Sequence, residues 1–321
     1  MRINLDEAIA KLKNGEVVAI PTETVYGLAA DATNEAALLQ IYAIKQRPAD
    51  NPLIVHISDI DQVQHWAAEF PPVAQRLANA FWPGPFTLVL PAKESVSSIV
   101  RAGEPTVALR VPSHPLALQL LKQSGLGLAA PSANKYTQLS PTTATHVETS
   151  LGKDLPVLDG GACQVGIEST IVGVSGDLWQ LLRHGMITQA KIAEVAGVAE
   201  TKGSTIQPKA PGQHLLHYSP KTPVRLFFGI EPLSRYQQTN KLSCAVLLID
   251  DVPQNAQLAN EPLIVQTIQL PKDPTIVAER LYSVLHQLDA LNAAQILVQL
   301  PPATPEWLAI LDRLTRAAHH D

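Results

Sequence analysis

Two short polar segments have residue types that could bind or transform a ligand. The first, Pro21-Thr22-Glu23-Thr24, follows a strand predicted for residues 17–20. Hydroxyl and carboxyl side chains at a strand end suit a polar pocket in an open α/β sheet, but they also suit a turn held by side-chain to backbone bonds. The second segment, Lys45-Gln46-Arg47, ends a helix that Thr33 is predicted to cap. Its two cations could grip a phosphate or complement the helix dipole.

Two further candidates lie on predicted strands. Arg110 belongs to the otherwise apolar run of residues 106–111, and an unpaired charge there would be costly to desolvate. Its partner is therefore either a substrate carboxylate or a structural Asp or Glu. His56 lies near the end of the strand predicted for residues 53–57, either as a base or as a hydrogen-bonded strand-end histidine.

Small and hydroxylated residues form two more polar segments. Ser132 and Asn134 could bind a phosphate or a magnesium ion through neutral oxygens and donors, and Ser169-Thr170 places a hydroxyl pair at a predicted strand start. The sequence contains neither a GxxxxGK[ST] loop nor a GxGxxG after the first strand, and neither HExxH nor GxSxG. The common nucleotide, zinc-protease and esterase motifs therefore do not identify this chain.

The elements that would position these residues alternate between strand-like and helix-like segments, which predicts an α/β fold. Ser140 before Pro141 predicts a helix start, because a serine oxygen accepts orphan N–H groups and proline fits the first helical position. Residues 201–222 lose apolar periodicity and gain Gly, Ser and Pro, which is typical of a linker. The strand-like segments that follow predict a small Rossmann-like second domain: 224–228, 245–249, 263–268 and 296–300.

Length and composition narrow the class of protein. The 321 residues suit two domains, and 46% hydrophobic with 17% charged residues excludes a disordered chain. With 24 Lys and Arg against 29 Asp and Glu, the net charge of −5 lacks the excess of cations that pulls proteins onto nucleic acid. The charged N-terminus is unlike a secretory signal, no run is apolar enough to span a membrane, and Cys163 and Cys244 form no CxxC pattern. These features predict a cytoplasmic protein without a disulfide framework or a zinc site.

Six segments in this order resemble one known family. PTETVYGL, KQRPADNPLIVHI, TVALRVP, APSAN, GIESTIV and LLRHG resemble the YrdC-like domain of L-threonylcarbamoyladenylate synthases, and the whole chain resembles the long, two-domain form. The resemblance implies a YrdC-like catalytic domain over residues 1–200, with a twisted, open, mixed sheet and helices. It further implies a linker over 201–222 that closes over the active site, and a smaller Rossmann-like α/β domain over 223–321.

The resemblance also implies a reaction: L-threonine, bicarbonate and ATP give L-threonylcarbamoyl-AMP and pyrophosphate. Such a nucleotidyltransferase supplies a separate transferase that makes threonylcarbamoyladenosine (t6A) beside the tRNA anticodon, and Mg²⁺ is expected with ATP and no metal ligand from the protein. Lys45 and Arg47 are the expected catalytic residues. The residues implied to bind threonine are Thr24, His56, Arg110, Ala130 and Ser169. Those implied to bind ATP are Lys45, Arg47, Asn51, Thr106, Ser132, Asn134, Ser140, Arg183 and Tyr218.

Tyr218 is assigned through His217-Tyr218-Ser219-Pro220, which matches a HYxP-like segment of long-form relatives. Many relatives read PGMKYRHY before the proline, whereas residues 211–218 read PGQHLLHY and lack the basic residues. Extra phosphate contacts from this segment are therefore not expected. Two alternative functions remain: an RNA-binding YrdC-like module and a relative that transfers carbamoyl groups. In the main interpretation, any tRNA binding by this chain is expected to be weak or indirect.

Overall fold

A computed structural model describes residues 1–201, 218–251 and 263–318. The chain divides into two compact units. The described part of the first unit comprises residues 1–136 and 140–201, and that of the second comprises 137–139, 218–251 and 263–318. Most of the predicted linker, residues 202–217, lies outside the described residues. Of the linker, only Thr201 and residues 218–222 are described.

The first unit alternates strands and helices, as the sequence pattern predicts. Its strands are β1 (Arg2–Ile3), β2 (Val18–Ile20), β3 (Gly27–Asp31), β4 (Ile54–His56), β5 (Phe86–Pro91), β6 (Thr106–Arg110), β7 (Leu128–Ala129), β8 (Val157–Leu158), β9 (Thr170–Ser175) and β10 (Leu178–Arg183). Its α-helices are α1 (Leu5–Lys13), α2 (Glu35–Lys45), α3 (Val63–Trp66), α4 (Pro72–Phe81), α5 (Ser98–Arg101), α6 (Pro115–Ser124), α7 (Ala144–Leu151) and α8 (Gln189–Ala196). A 3₁₀ helix spans Ile60–Gln62.

The ten strands form one mixed sheet in the order β1-β8-β2-β3-β7-β4-β6-β5-β9-β10. Strands β4 and β6 are parallel, and their register sets His56 beside Arg110. Strand β5 pairs antiparallel with β6 and parallel with β9. Three candidate segments that are distant in sequence therefore become neighbours in the sheet.

Alternate residues of these central strands face two different apolar clusters. Val55, Leu88 and Leu109 belong to the main core of the unit. Their sequence neighbours Ile54, Val89 and Ala108 form a separate small cluster with Ile171 and Leu182. Because strand side chains alternate between the faces of a sheet, this second cluster lies on the opposite face. We call this side of the sheet the open face, and the cluster on it the open-face cluster.

Two helix starts differ from the sequence predictions. Helix α2 begins after Asn34, whose side chain accepts a hydrogen bond from Ala37 N–H, so Thr33 is not the cap. The prediction that Ser140 starts a helix is wrong, because α7 begins after Thr143, whose side chain accepts from His146 N–H. Thr143 supplies the same kind of capping oxygen, so Ser140 is available for another partner.

The second unit contains a four-stranded parallel sheet. Its strands are β11 (Val224–Phe227), β12 (Cys244–Ile249), β13 (Ile264–Leu270) and β14 (Gln295–Gln299), in the order β11-β14-β12-β13. Its helices are α9 (Ile230–Asn240), α10 (Pro274–Asp289) and α11 (Leu308–Ala317), with a 3₁₀ helix at Pro305–Trp307. The parallel sheet with intervening helices confirms the predicted Rossmann-like α/β class. Within the described ranges, no helix is long and apolar enough to cross a membrane.

Candidate active site

Arg110 is the buried cation at one end of the open face. Period-two alternation places it on the same face as Ala108 of the open-face cluster. Its Nη2 lies 2.7 Å from Glu23 Oε1, its Nη1 donates to Thr24 Oγ1 at 2.9 Å, and its Nε donates to the Gly84 carbonyl at 3.2 Å. Burial alone would raise the pKa of Glu23, but the charge and hydrogen bond of Arg110 hold that pKa below its ordinary value. The structural carboxylate considered for Arg110 is therefore present, and it is Glu23.

His56 lies next to Arg110 across the parallel strand pair, and it is 3% exposed. Burial and the neighbouring charge of Arg110 lower the pKa of His56 to about 3, although Glu23 opposes that effect. The imidazole is therefore neutral at neutral pH. A neutral ring at this position can accept or donate one hydrogen bond to a ligand without adding charge.

Ser169, which directly precedes β9, is hydrogen-bonded to Arg183, the last residue of β10. The Ser169 hydroxyl lies 2.7 Å from the Thr87 hydroxyl, and Arg183 donates to the Ser169 carbonyl through Nε at 3.0 Å and to its hydroxyl through Nη2 at 3.1 Å. The register of β10 shifts between Leu181 and Arg183, so Arg183 pairs with Ile171 of the open-face cluster. Strict alternation would have put Arg183 on the core side with Leu181, and the bulge redirects it.

Lys45 ends helix α2 and is buried with its ammonium against backbone carbonyls. Its Nζ donates to the carbonyls of Ser132 and Asn134, the latter at 2.7 Å. Burial, helped by the nearby charge of Arg47, lowers the pKa of Lys45 well below its usual range. Arg47 is buried too, and its Nη2 donates to the Pro52 carbonyl at 3.2 Å. The turn between them is made by Gln46, which adopts the left-handed conformation with φ 52°.

Backbone contacts join the segment that follows Thr24 to the segment that contains Ser132. Gly27 forms an isolated antiparallel bridge with Ser132, and the Leu28 N–H donates to the Pro131 carbonyl at 2.7 Å. Ala130, on the same segment, donates its N–H to the Ile54 carbonyl at 3.1 Å. Thr24 is therefore fixed relative to Ser132 and Asn134, whose carbonyls accept hydrogen bonds from Lys45.

Ser140 lies in a loop, fully buried, and donates to Glu168 Oε1 at 2.6 Å. Glu168 precedes Ser169 directly, so this bond connects the loop before α7 to the Ser169 region. The Ser140 hydroxyl, which caps no helix, thus holds the buried Glu168 carboxylate in place. Asn51 is partly exposed, and its side-chain amide donates to the Asp50 carboxylate at 3.1 Å.

Thr106 is partly exposed and borders an apolar cavity of about 280 Å³ on the open face. Period-two alternation along β6 places Thr106 and Arg110 on the same face, at opposite ends of the strand. The cavity wall includes Val89, Leu182 and Gln180. An apolar cleft beside buried cations is a usual setting for a small organic ligand.

Tyr218 belongs to the second unit and is 1% exposed. Its ring centroid lies 5.9 Å from that of Tyr282, and the guanidinium of Arg313 stands 5.1 Å from its ring centroid. These contacts hold the ring within the second unit. They do not test the expectation that Tyr218 contacts ATP, which stays a prediction.

Three neighbours of the predicted site residues received no binding or catalytic role from sequence, although the first of them lies in a candidate polar segment: Glu23, Thr87 and Glu168. The charge on the apolar strand of Arg110 was a signal for a carboxylate partner, and Glu23 supplies it across 86 intervening residues. Glu168 and Thr87 gave no comparable signal, because their partners are hydroxyls. No group of three or more His, Cys, Asp or Glu side chains in the described ranges could hold a metal ion.

Comparisons with known proteins match both units. A family model for Sua5, YciO and YrdC proteins, described as telomere recombination, matches residues 10–185. A second model, described as the threonylcarbamoyl-AMP synthase C-terminal domain, matches residues 187–319.

Relatives match over nearly the full chain. A threonylcarbamoyl-AMP synthase of Bacillus subtilis is 40% identical, with 97% of this chain and 92% of the relative covered. The one of Schizosaccharomyces pombe is 36% identical, with 99% and 88% covered. The crystal structure of Sua5 from Pyrococcus abyssi in complex with L-threonine superimposes with a TM-score of 0.88 at 32% identity, covering 99% of this chain and 97% of that one.

Proposed function

The chain belongs to the threonylcarbamoyl-AMP synthase family, and we propose on that premise which residues of its first unit carry the reaction. The protein is an enzyme of the nucleotidyltransferase type that serves t6A synthesis. L-Threonine, bicarbonate and ATP are the proposed substrates, and L-threonylcarbamoyl-AMP and pyrophosphate are the proposed products. The names of the relatives favour this function over an RNA-binding module or another carbamoyl transferase.

The single observation that best supports the proposal is the burial of Lys45 without an acidic partner. Lys45 is 1% exposed, and among the described residues its ammonium donates only to two backbone carbonyls. A phosphate would restore the charged form that burial disfavours. Lys45 and Arg47 would then neutralise the triphosphate while pyrophosphate leaves, with Asn51, Ser132, Asn134, Ser140 and Arg183 as further proposed ATP contacts.

Threonine is proposed to bind at the other end of the open face, around Arg110. The guanidinium would hold its carboxylate, neutral His56 would hydrogen-bond without adding charge, and Ala130 would contribute backbone. Thr24 and Ser169 supply hydroxyls on the same face. The apolar surface of Val89, Ala108 and Leu182, with Thr106 beside it, suits the base and ribose of the nucleotide.

The proposed chemistry needs orientation and charge rather than a protein nucleophile. The threonine ammonium would lose a proton, and the free amine would attack the carbon of bicarbonate, forming a C–N bond while one C–O bond breaks and water leaves. A carbamate oxygen of the resulting N-carboxythreonine would then attack the α-phosphorus and displace pyrophosphate. A buried cationic pair at the phosphates stabilises the developing charge without reorganising. A divalent cation would be ligated by the ATP phosphates and by water, since the described residues provide no cluster of His, Cys, Asp or Glu ligands for it. Mg²⁺ is proposed as that cation.

The product is proposed to pass to a separate transferase that modifies tRNA, with any tRNA contact by this chain weak or indirect. A cytoplasmic location is part of the same proposal, because ATP and tRNA are both found there. The proposal that Tyr218 contacts ATP is tested by the KM for ATP of Tyr218→Phe and Tyr218→Ala. The phenylalanine keeps a ring against Tyr282 and Arg313, so it separates a lost hydroxyl contact from lost packing.

The decisive experiment measures pyrophosphate release from ATP, with L-threonine and bicarbonate each omitted in turn. Release should require both, should collapse in Arg47→Ala, and should persist in Arg235→Ala, where an exposed arginine of α9 is removed. Release that is independent of threonine would refute the proposed reaction. In that outcome, tRNA binding at physiological salt would be measured next to test the RNA-binding alternative.

A further inference from the structure

Glu23 and Arg110 form a buried ion pair inside the proposed threonine site. Both side chains are about 4% exposed, and Oε1 lies 2.7 Å from Nη2. A buried ion pair is costly to desolvate and is replaced by apolar residues without loss in many proteins. A pair retained at a binding site therefore calls for a reason other than stability.

The hydrogen bonds of Arg110 leave room for a ligand. A guanidinium has five N–H donors, and Arg110 donates two of them in hydrogen bonds, to the Gly84 carbonyl and to the Thr24 hydroxyl, while its Nη2 lies 2.7 Å from Glu23 Oε1 as an ion pair. One N–H remains on Nη1, and Nη2 has no hydrogen-bond acceptor among the described residues. Donors on these two neighbouring nitrogens suit a single carboxylate, so a ligand carboxylate can bind while Glu23 stays in place.

The charges then determine which carboxylate ligand fits. Arg110 and Glu23 together carry no net charge, and His56 beside them is neutral at neutral pH. A free amino acid is also neutral overall, since its ammonium balances its carboxylate. A simple anion of the same shape would bring an uncompensated negative charge next to Glu23 in a buried site, where such a charge is poorly screened.

We propose that Glu23 is a positioning residue that makes the Arg110 site selective for a zwitterionic amino acid. It fixes the guanidinium so that two N–H groups face the ligand carboxylate, and its own charge compensates the ligand ammonium. This inference rests on the proposed function, because it takes threonine as the ligand of Arg110. It adds the residue that discriminates threonine from hydroxy acids of similar shape.

The test compares two ligands in the full-length protein by calorimetry without ATP. L-Threonine is the zwitterion, and (2S,3R)-2,3-dihydroxybutanoate is an anion of nearly the same shape with a hydroxyl in place of the ammonium. The wild-type protein should prefer L-threonine by about tenfold or more. In Glu23→Gln, threonine should weaken and the anion should tighten, so that the preference falls by about tenfold or reverses. Glu148→Gln is the matched control, because it removes a carboxylate paired with Arg2 at 3.1 Å outside the site.

The outcomes separate this inference from the proposed function. A wild-type protein that binds threonine but shows no preference over the anion overturns the role of Glu23, as does an unchanged preference in a folded Glu23→Gln. If Glu23→Gln does not fold, Glu23→Asp keeps the charge and should keep the preference at lower affinity; loss of the preference there refutes the charge argument. Failure of the wild type to bind threonine at all refutes the proposed function instead.

Discussion

The neutrality of His56 can be tested through the pH dependence of stability. The imidazole is 3% exposed and has a pKa of about 3 in the folded protein, against 6.5 for the free side chain. The folded state therefore binds this proton more weakly than the unfolded state does. The stability contribution of His56 is complete above pH 6.5 and is lost progressively as the pH falls from 6.5 towards 3.

The expected size follows from proton linkage. At pH 5.5, the unfolded histidine is mostly protonated while the folded one remains neutral, which costs about 1.4 kcal/mol relative to pH 7.5. The loss approaches about 5 kcal/mol near pH 3, one unit of pKa being worth about 1.4 kcal/mol. His56→Gln has no proton to gain, so it should lose less stability between pH 7.5 and 5.5 than the wild type, by about 1.4 kcal/mol.

The measurement is urea unfolding of both proteins at the two pH values, followed by tryptophan fluorescence. Three of the four tryptophans, Trp66, Trp82 and Trp179, lie in the first unit with His56. Proton NMR of the imidazole in the wild type, assigned by its absence from His56→Gln, gives the pKa directly. The reasoning is refuted if the His56 signal titrates near 6.5, or if both proteins lose the same free energy of unfolding.

Three further predictions concern other residues. Lys45→Met should abolish pyrophosphate release and weaken ATP binding in calorimetry, because the buried ammonium that would contact the phosphates is removed; undiminished release would contradict this role. Gly185→Ala should lower the melting temperature by several degrees or prevent folding, since a Cβ there would lie 2.3 Å from the Thr170 backbone nitrogen; an unchanged melting temperature would contradict the close approach. Cys163 should resist iodoacetamide at pH 8 until urea is added, because burial raises its thiol pKa to about 12; mass spectrometry that finds Cys163 fully alkylated in the folded protein would refute this.

Much of the secondary structure follows from local signals in the sequence. The predicted strands at residues 53–57 and 106–111 correspond to β4 and β6. Two helix starts were predicted wrongly where several capping residues stand close together. Asn34 rather than Thr33 caps α2, and Thr143 rather than Ser140 caps α7, because each neighbour offers an equivalent oxygen and only the surrounding packing decides between them.

The sequence by itself determined the α/β class, the family and the residue types of the site, since motif order and hydrophobic periodicity are properties of the chain alone. Only the tertiary structure decided that Glu23 is the partner of Arg110, and that the bulge near Leu181 turns Arg183 towards Ser169. The ion pair spans 86 intervening residues, and the sheet register is set by which distant strands pair. Local propensities of the residues do not determine that pairing. The charge balance of the candidate site is therefore a property of the fold.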